Sequence, residues 1–184
     1  MTFLKFSKGN AKLDKNTLLF SLPAGYTCPN AGVCRTYADK STGRIMDNST
    51  EGDVPSYRCF ASSQEAVYPS VRRSRWANYE ALQEAQASTP SSCEGMRDLI
   101  QSSLERQPAL PKVRIHVSGD FFSEFYMQAW LKVAKARPDQ LFYCYTKSLN
   151  YWYQLRKQIP GNFYMTASHG GTLDNFILRY PRTF

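Results

Sequence analysis

The residues best suited to chemistry are three cysteines, Cys28, Cys34 and Cys59, which lie in or at the exit of one stretch rich in turn-forming residues. Cysteine binds metals as the thiolate, and three thiolates brought together without a cation would repel one another. Their grouping therefore predicts a metal site. The alternative is that three free cysteines, which pack as small hydrophobic residues, fall together by chance. A loop rich in Gly and Pro offers little core in which to bury them, which favours the metal site.

The spacing of these cysteines favours an iron-sulfur cluster over zinc. Cys28 and Cys34 are six positions apart, and Cys34 and Cys59 are twenty-five apart. Structural zinc sites usually contain a Cys-x-x-Cys or His-x-x-x-His pair, and this sequence has neither. Iron-sulfur clusters are also held by cysteines and tolerate wider spacing, and a fourth iron has several candidate ligands. These are Cys93, Cys144, His169 or a ligand from outside the chain.

The other cysteines and His116 fit structural roles better than a site. Cys144 lies between two tyrosines in a strand-like pattern, which predicts a place in the core. Cys93 lies in the first turn of a predicted helix, far along the chain from the loop, and is predicted to be structural. His116 falls inside an apolar run and is predicted to be a hydrogen-bonded core residue. His169 stands beside two glycines at a predicted strand end, where a site role and a surface role are both open.

Composition predicts a globular, cytoplasmic protein of one domain. The 184 residues are 42% hydrophobic and 21% charged, which excludes disordered and collagen-like chains. No apolar stretch approaches the roughly 20 residues of a membrane span, and no secretory signal is recognised, so no membrane partner is expected. In a reducing cytoplasm the five cysteines are thiols or metal ligands rather than disulfides. The net charge of +8 favours acidic or phosphate-rich partners.

The single domain, 1–184, divides into three predicted segments: a first strand with the cysteine loop (1–61), a helical segment (62–107) and βα repeats (108–184). The long loop over 24–60 is predicted to lack regular structure, because Gly, Pro, Asn and Ser recur at short intervals. Ser91 with Glu94 suggests a capping box, and Ser123 suggests a helix cap. Strands are predicted at 17–22, 113–117, 141–145 and 163–167, and helices at 64–86, 93–106, 123–136 and 149–158.

This order of elements predicts an α/β fold with a parallel sheet. Strands that alternate with helices over short connections are joined by right-handed βαβ crossovers. In such sheets the ligand site lies beyond the carboxyl ends of the strands. Four polar or cysteine-bearing segments are expected to meet there: the cysteine loop and residues 118–120, 146–148 and 168–171.

Four segments of the sequence resemble the phage gene product 88 family. They are SLPAGYTCPNAGVC from Ser21, RCFA from Arg58, HVSGDFF from His116 and YCYTKS from Tyr143. The pattern is itself similar to radical S-adenosylmethionine enzymes, in which a three-cysteine loop after the first barrel strand holds a [4Fe-4S] cluster with one iron open. The resemblance implies a partial TIM-barrel-like sheet with the cysteine-bearing loop after its first strand.

The same resemblance implies roles for individual residues. Cys28, Cys34 and Cys59 are the implied cluster ligands. Ser118, Gly119 and Asp120 stand in the place of the Gly-Gly-Glu-Pro segment with which the radical enzymes meet the amino group of S-adenosylmethionine. The two patterns also differ, because the cysteine spacing is not Cys-x-x-x-Cys-x-x-Cys and an aspartate stands where those enzymes have a glutamate.

The leading functional hypothesis is an iron-sulfur phage protein of the host cytoplasm, with S-adenosylmethionine as a second cofactor if it has radical chemistry. One alternative is a basic protein with a structural metal site that binds nucleic acid or a host protein. Its contacts would be Arg72, Arg73 and Arg75, which otherwise form a solvated helix face. A second alternative is an electron carrier. The sequence lacks the nucleophile-elbow, P-loop and His-Glu-x-x-His motifs, and it names no substrate, reaction or oligomeric state.

Overall fold

The computed structural model describes residues 2–9, 13–32, 34–47 and 58–184. Within these ranges the chain forms seven strands and six α-helices. The strands are β1 (Ser7–Lys8), β2 (Thr17–Leu19), β3 (Thr36–Ala38), β4 (Ile45–Asp47), β5 (Lys112–Ile115), β6 (Leu141–Thr146) and β7 (Phe163–Ala167). The helices are α1 (Phe60–Val67), α2 (Pro69–Ser88), α3 (Glu94–Glu105), α4 (Glu124–Lys135), α5 (Leu149–Leu155) and α6 (Asn175–Arg179). A 3-10 helix, Arg156–Gln158, follows α5 directly.

Five strands form one sheet in the order β1, β2, β5, β6, β7. β1 is antiparallel to β2, whereas β2, β5, β6 and β7 run parallel to one another. The fold is mixed α/β with a mostly parallel sheet, so the predicted fold class is confirmed at this level. Each crossover leads to the adjacent strand in the same direction across the sheet. Right-handed crossovers of this kind place their helices on one face.

One hydrophobic core lies between that face and the helices. Val113 and Ile115 of β5 and Phe142 of β6 are fully buried in the same cluster as Trp130 of α4. The residues between them on the strands lie on the opposite face, where Tyr145 is 50% exposed. This alternation is typical of a sheet with one covered face.

Several local predictions are confirmed. Cys93, Cys144 and His116 are buried, and β7 has the predicted bounds. The Ser123 hydroxyl caps α4 by accepting a hydrogen bond from the Tyr126 N–H at 3.2 Å.

The predicted capping box at α3 is wrong, because the residue that precedes α3 is Cys93 and Ser91 makes no cap. The Thr89 hydroxyl, which the pattern did not suggest, accepts instead from the Gly95 N–H at 3.0 Å.

The first half of the chain differs most from the prediction. The cysteine loop, predicted to lack regular structure, contains the antiparallel pair β3–β4. The single helix predicted over 64–86 is two helices, α1 and α2, separated at Tyr68. Pro69 explains this break, because the residue before a proline is pushed out of the helical region. Tyr68 accordingly has φ −113° and ψ 95°.

Candidate functional site

The three loop cysteines lie at the carboxyl edge of the sheet, because the chain after β2 continues alongside the end of β5. The Leu22 N–H donates to the Ser118 carbonyl at 2.9 Å. The chain then turns tightly, and the Cys28 N–H donates to the Gly25 carbonyl at 3.3 Å. Gly25 has φ +67°, and a Cβ there would lie 2.0 Å from the Thr36 carbonyl oxygen. Only glycine fits this close approach, which presses the Cys28 turn against β3.

Thr36, at the start of β3, connects the segments that carry all three cysteines. Besides its contact with the Cys28 turn at Gly25, its N–H donates to the Cys34 carbonyl at 2.8 Å. Its hydroxyl accepts from the Cys59 N–H at 3.3 Å and lies 2.8 Å from the Ser62 hydroxyl. Thr36 is 2% exposed, so these contacts are sheltered from water. The three cysteines, distant in sequence, are therefore neighbours in the fold.

The cysteine loop also reaches the far end of the sheet. Ala31 forms an isolated antiparallel bridge with Gly171, which follows β7. The Gly32 N–H donates to the Gly170 carbonyl at 3.2 Å, and the Thr172 N–H donates to the Asn30 carbonyl at 3.0 Å. The loop thus spans the carboxyl edge from β2 to β7. The predicted meeting of the cysteine loop with residues 168–171 is observed.

Burial raises the pKa of two of the three loop cysteines, and the neighbouring thiols add to the shift. Cys28 is half-buried as a residue, but its thiol is enclosed, and this burial raises its pKa strongly. Asp120 raises it further, as do Cys59 and Cys34, while a hydrogen bond with the Gly25 backbone opposes the shift. The pKa of Cys34 is raised mainly by burial, with Cys59 and Asp120 adding to the shift and Lys147 opposing it. All three cysteines are free thiols.

These thiols do not converge on a single point. In the described ranges, no three or more His, Cys, Asp or Glu side chains are grouped closely enough to hold a metal ion. The candidate fourth ligands Cys93 and Cys144 are buried in the hydrophobic core. His169 lies at the rim, with its side chain 76% exposed and its Nδ1 3.7 Å from Asp174.

The predicted cofactor segment lies beside the cysteines, but its side chains are engaged within the protein. The Asp120 carboxylate accepts from the Phe121 N–H at 2.7 Å, the Thr146 hydroxyl at 2.6 Å and the Lys147 N–H at 2.8 Å. Burial nevertheless raises the pKa of Asp120 to about 6. The Ser118 hydroxyl donates to Glu65 at 3.3 Å. Gly119 has φ +81°, and a Cβ there would lie 2.6 Å from the Thr27 hydroxyl.

A buried ion pair beneath the cysteine loop was not predicted. The Glu65 carboxylate is fully buried and accepts from the Arg75 guanidinium at 2.7 Å and the Ala24 N–H at 2.9 Å. Burial raises the pKa of Glu65, and hydrogen bonds from Ala24 and Arg75 oppose the shift. The pair ties α1 and α2 to the segment that leads into the Cys28 turn. No sequence pattern identifies it, because Glu65 and Arg75 belong to different helices.

The predicted basic patch is therefore wrong for two of its three arginines. Arg72 and Arg75 are 6% and 5% exposed. Arg72 donates to the backbone carbonyls of Glu65 at 2.6 Å and Lys40 at 3.2 Å. The guanidinium groups of Arg72 and Arg75 thus donate hydrogen bonds to backbone carbonyls of nearby segments. Of the three arginines, only Arg73 is exposed.

Comparison with known proteins identifies the family. Residues 4–183 match the family profile described as gene product 88. The chain belongs to the gene product 88 family. Relatives include the gene 88 proteins of Mycobacterium phage L5, 33% identical over 90 residues, and of Mycobacterium phage D29, 32% identical over 91 residues. The predicted phage family is thus confirmed, and no solved structure matches.

The aligned part covers 48% of this chain and 38% of each of these two gene 88 proteins. This member of the gene product 88 family therefore matches well under half the length of either relative. Across the residues described, no helix is both long and apolar enough to span a bilayer.

Proposed function

We propose that this member of the gene product 88 family binds a [4Fe-4S] cluster through Cys28, Cys34 and Cys59. The observation that carries the proposal is that Thr36 contacts the backbone of the three segments that carry the reduced cysteines, at the carboxyl edge of a parallel sheet. This edge is where parallel α/β folds place their ligands. The enclosed thiol of Cys28 lies near the buried Asp120 carboxylate and the other two thiols, and these groups repel one another when charged. A cluster with positive iron ions would relieve that repulsion.

A single zinc ion and a [4Fe-4S] cluster require different distances between the three sulfurs. A tetrahedral zinc ion about 2.3 Å from each sulfur requires the sulfurs to lie within about 3.8 Å of one another. In a [4Fe-4S] cluster each cysteine binds a different iron, so the sulfurs lie farther apart. No group of three or more His, Cys, Asp or Glu side chains close enough to hold a metal ion occurs among the residues described, so support for the proposal comes from the shared contacts with Thr36.

The surroundings would help to set the properties of a bound cluster. Such clusters carry one electron at a time, with a potential that depends on nearby charge, hydrogen bonds and burial. Lys147 brings a positive charge to the site, and its Nζ is held by the His169 carbonyl. The N-terminal end of α1, directly after Cys59, also favours negative charge. Asp120 acts in the opposite direction, since its ionised form disfavours thiolate.

The finer part of the proposal is a partial-barrel scaffold like that of radical S-adenosylmethionine enzymes. Four parallel strands in sequential order, with helices on one face and a cysteine loop after β2, support it. The side chains of Ser118 and Asp120 do not support the cofactor contact, because both are buried and hydrogen-bonded within the protein. Binding of S-adenosylmethionine is therefore separate from the proposed cluster, and the spectroscopic experiment below tests it directly.

Iron and sulfide analysis of anaerobically purified protein tests the cluster. We expect both elements in the wild type, with a visible absorption band that the Cys28→Ala, Cys34→Ala and Cys59→Ala variants lose. Cys93→Ala is the matched control, because this buried cysteine lies in the core away from the rim. Retention of the band by all three loop variants, or zinc in place of iron, would refute the proposal.

Electron paramagnetic resonance of the reduced protein separates the remaining functions. A spectrum that S-adenosylmethionine perturbs would indicate an open iron and support radical chemistry. An unperturbed spectrum with reversible reduction would favour the electron-carrier function instead. Either result is compatible with the cluster itself, whose test is the iron and sulfide content.

A further inference from the structure

The face of the sheet opposite the hydrophobic core carries a row of side chains that is exposed at Tyr164 and buried at Leu19, beside α2. The strand register aligns five residues across all five strands: Ser7, Leu19, Arg114, Tyr143 and Tyr164. Tyr145 and Thr166 form the next row toward the carboxyl edge. Neighbouring strands lie about 4.8 Å apart, so the first row extends about 19 Å across the sheet.

Aromatic side chains on this face are open to solvent. Tyr145 is 50% exposed and Tyr164 is 58% exposed, although each lies on a strand whose other face is buried. The Arg114 guanidinium lies 5.5 Å from the centre of the Tyr145 ring, which adds a cation to the aromatic surface. Lys112, on the same face, is partly balanced by Asp14 at 2.8 Å. The face therefore combines flat rings with positive charge.

A cavity of about 390 Å³ adjoins this row at the β1–β2 edge of the sheet. It shares Ser7 and Leu19 with the row, and it is also lined by Lys5, Lys8, Ser21 and Ser74. The two lysines are exposed, and the serines offer hydroxyl donors. Lysines and hydroxyl groups are the side chains that contact phosphate oxygens in nucleic-acid complexes.

We infer that this sheet face binds single-stranded nucleic acid, with bases stacked on Tyr145 and Tyr164 and backbone phosphates at the Lys5–Lys8 cavity. Exposed aromatic rings beside a positively charged groove are the recognition mode of proteins that bind single strands. Duplex DNA hides the faces of its bases, so it would use only the charges. The net charge of +8 complements a polyanion, and this argument does not depend on the cluster.

Fluorescence anisotropy with labelled single-stranded DNA and RNA oligonucleotides and anaerobically purified protein tests this inference. We expect Tyr145→Ala and Tyr164→Ala each to weaken binding about 5- to 150-fold, the range for loss of one base-stacking contact. Tyr145→Phe and Tyr164→Phe should bind like the wild type, because they keep a stacking ring. Tyr68→Ala is the matched control, since Tyr68 is 55% exposed but lies between α1 and α2.

The salt dependence of binding tests the contribution of the lysines separately. Lys8→Ala should weaken binding and reduce the slope of log affinity against log salt by about 0.7, the value for one phosphate contact on a single strand. Failure to bind any single strand at low salt would overturn the inference. Binding that the tyrosine variants leave unchanged, or a preference for duplex, would also overturn it, because charge alone would then explain the interaction.

Discussion

Buried polar residues at the carboxyl edge connect the segments of the candidate site through hydrogen bonds. Thr36 uses its N–H and hydroxyl to join segments that carry two of the cysteines, and the Asp120 carboxylate joins the ends of β5 and β6. Each group is buried, so loss of its partners would leave an unsatisfied polar atom at a cost of about 1–3 kcal/mol. This cost favours the arrangement of segments seen at the edge.

His116, just after β5, has a pH-dependent role in stability. It is buried with φ +63°, and its Nε2 lies 3.1 Å from the Tyr126 hydroxyl. Burial lowers its pKa to about 3, whereas the unfolded chain has the ordinary value of about 6.5. Between these values only the unfolded state binds the proton, so the stabilisation by neutral His116 is lost as the pH falls. We expect its contribution to be about 2 kcal/mol lower at pH 5 than at pH 8.

Urea denaturation at both pH values measures this contribution when the wild type is compared with His116→Asn. Asparagine tolerates a positive φ and does not titrate. The variant should therefore lose less stability than the wild type between pH 8 and pH 5, whatever its absolute stability. An identical pH dependence in both proteins would show that the histidine titrates normally in the folded state.

At the level of elements, the break between α1 and α2 allows a buried ion pair to form between the two helices. Glu65 on α1 pairs with Arg75 on α2, and both side chains are buried. Removal of one partner from a buried pair leaves an uncompensated charge, at a cost of about 3–5 kcal/mol. We expect Arg75→Met to lower the free energy of unfolding by this amount, measured by urea denaturation.

Arg73→Met is the matched control, because Arg73 lies on the same helix but is exposed. It should change stability by no more than about 0.5 kcal/mol. The double variant Glu65→Gln/Arg75→Met should recover part of the loss, since it removes both charges. Equal losses of stability in Arg73→Met and Arg75→Met would show that the Glu65–Arg75 ion pair does not stabilise the packing of α1 on α2.

At the level of the whole molecule, the sheet has two different faces, and its carboxyl edge carries the candidate site. The helices cover one face with the hydrophobic core, while the opposite face exposes its tyrosines. The cysteine loop crosses the carboxyl edge and meets the segment after β7 at Ala31 and Gly171. A cluster bound in this loop would therefore stabilise the edge more than the core, because ligand binding stabilises the state that holds the ligand.

Hydrogen exchange measured by mass spectrometry tests this division. On removal of the cluster by an iron chelator, we expect faster exchange in residues 24–38 and 59–67. Exchange in β5, β6 and the interior of α4 should change little, because their amides depend on the core. Uniform faster exchange would show that the cluster supports the whole fold, and unchanged exchange would show that the loop holds its structure without it.

Local pattern was sufficient to predict the elements from β5 to β7, whereas the short helix α6 was not predicted. The alternation of β5, α4, β6 and β7 follows from short-range periodicity, and the Ser123 cap follows from a preference that acts within one turn. The grouping of cysteines in a turn-rich loop likewise predicted the position of the candidate site. These features depend on neighbours along the chain, so the sequence contains them directly.

Only the tertiary structure decided which distant groups meet. The Glu65–Arg75 pair, the contacts of Thr36 with the cysteine-bearing segments, and the row of tyrosines and Arg114 depend on contacts or strand register between separate elements. The basic run at Arg72–Arg75 became mostly buried for the same reason, since nearby carbonyls and Glu65 satisfy its guanidinium groups. Such contacts arise from packing of the whole chain, and one-dimensional spacing does not specify them.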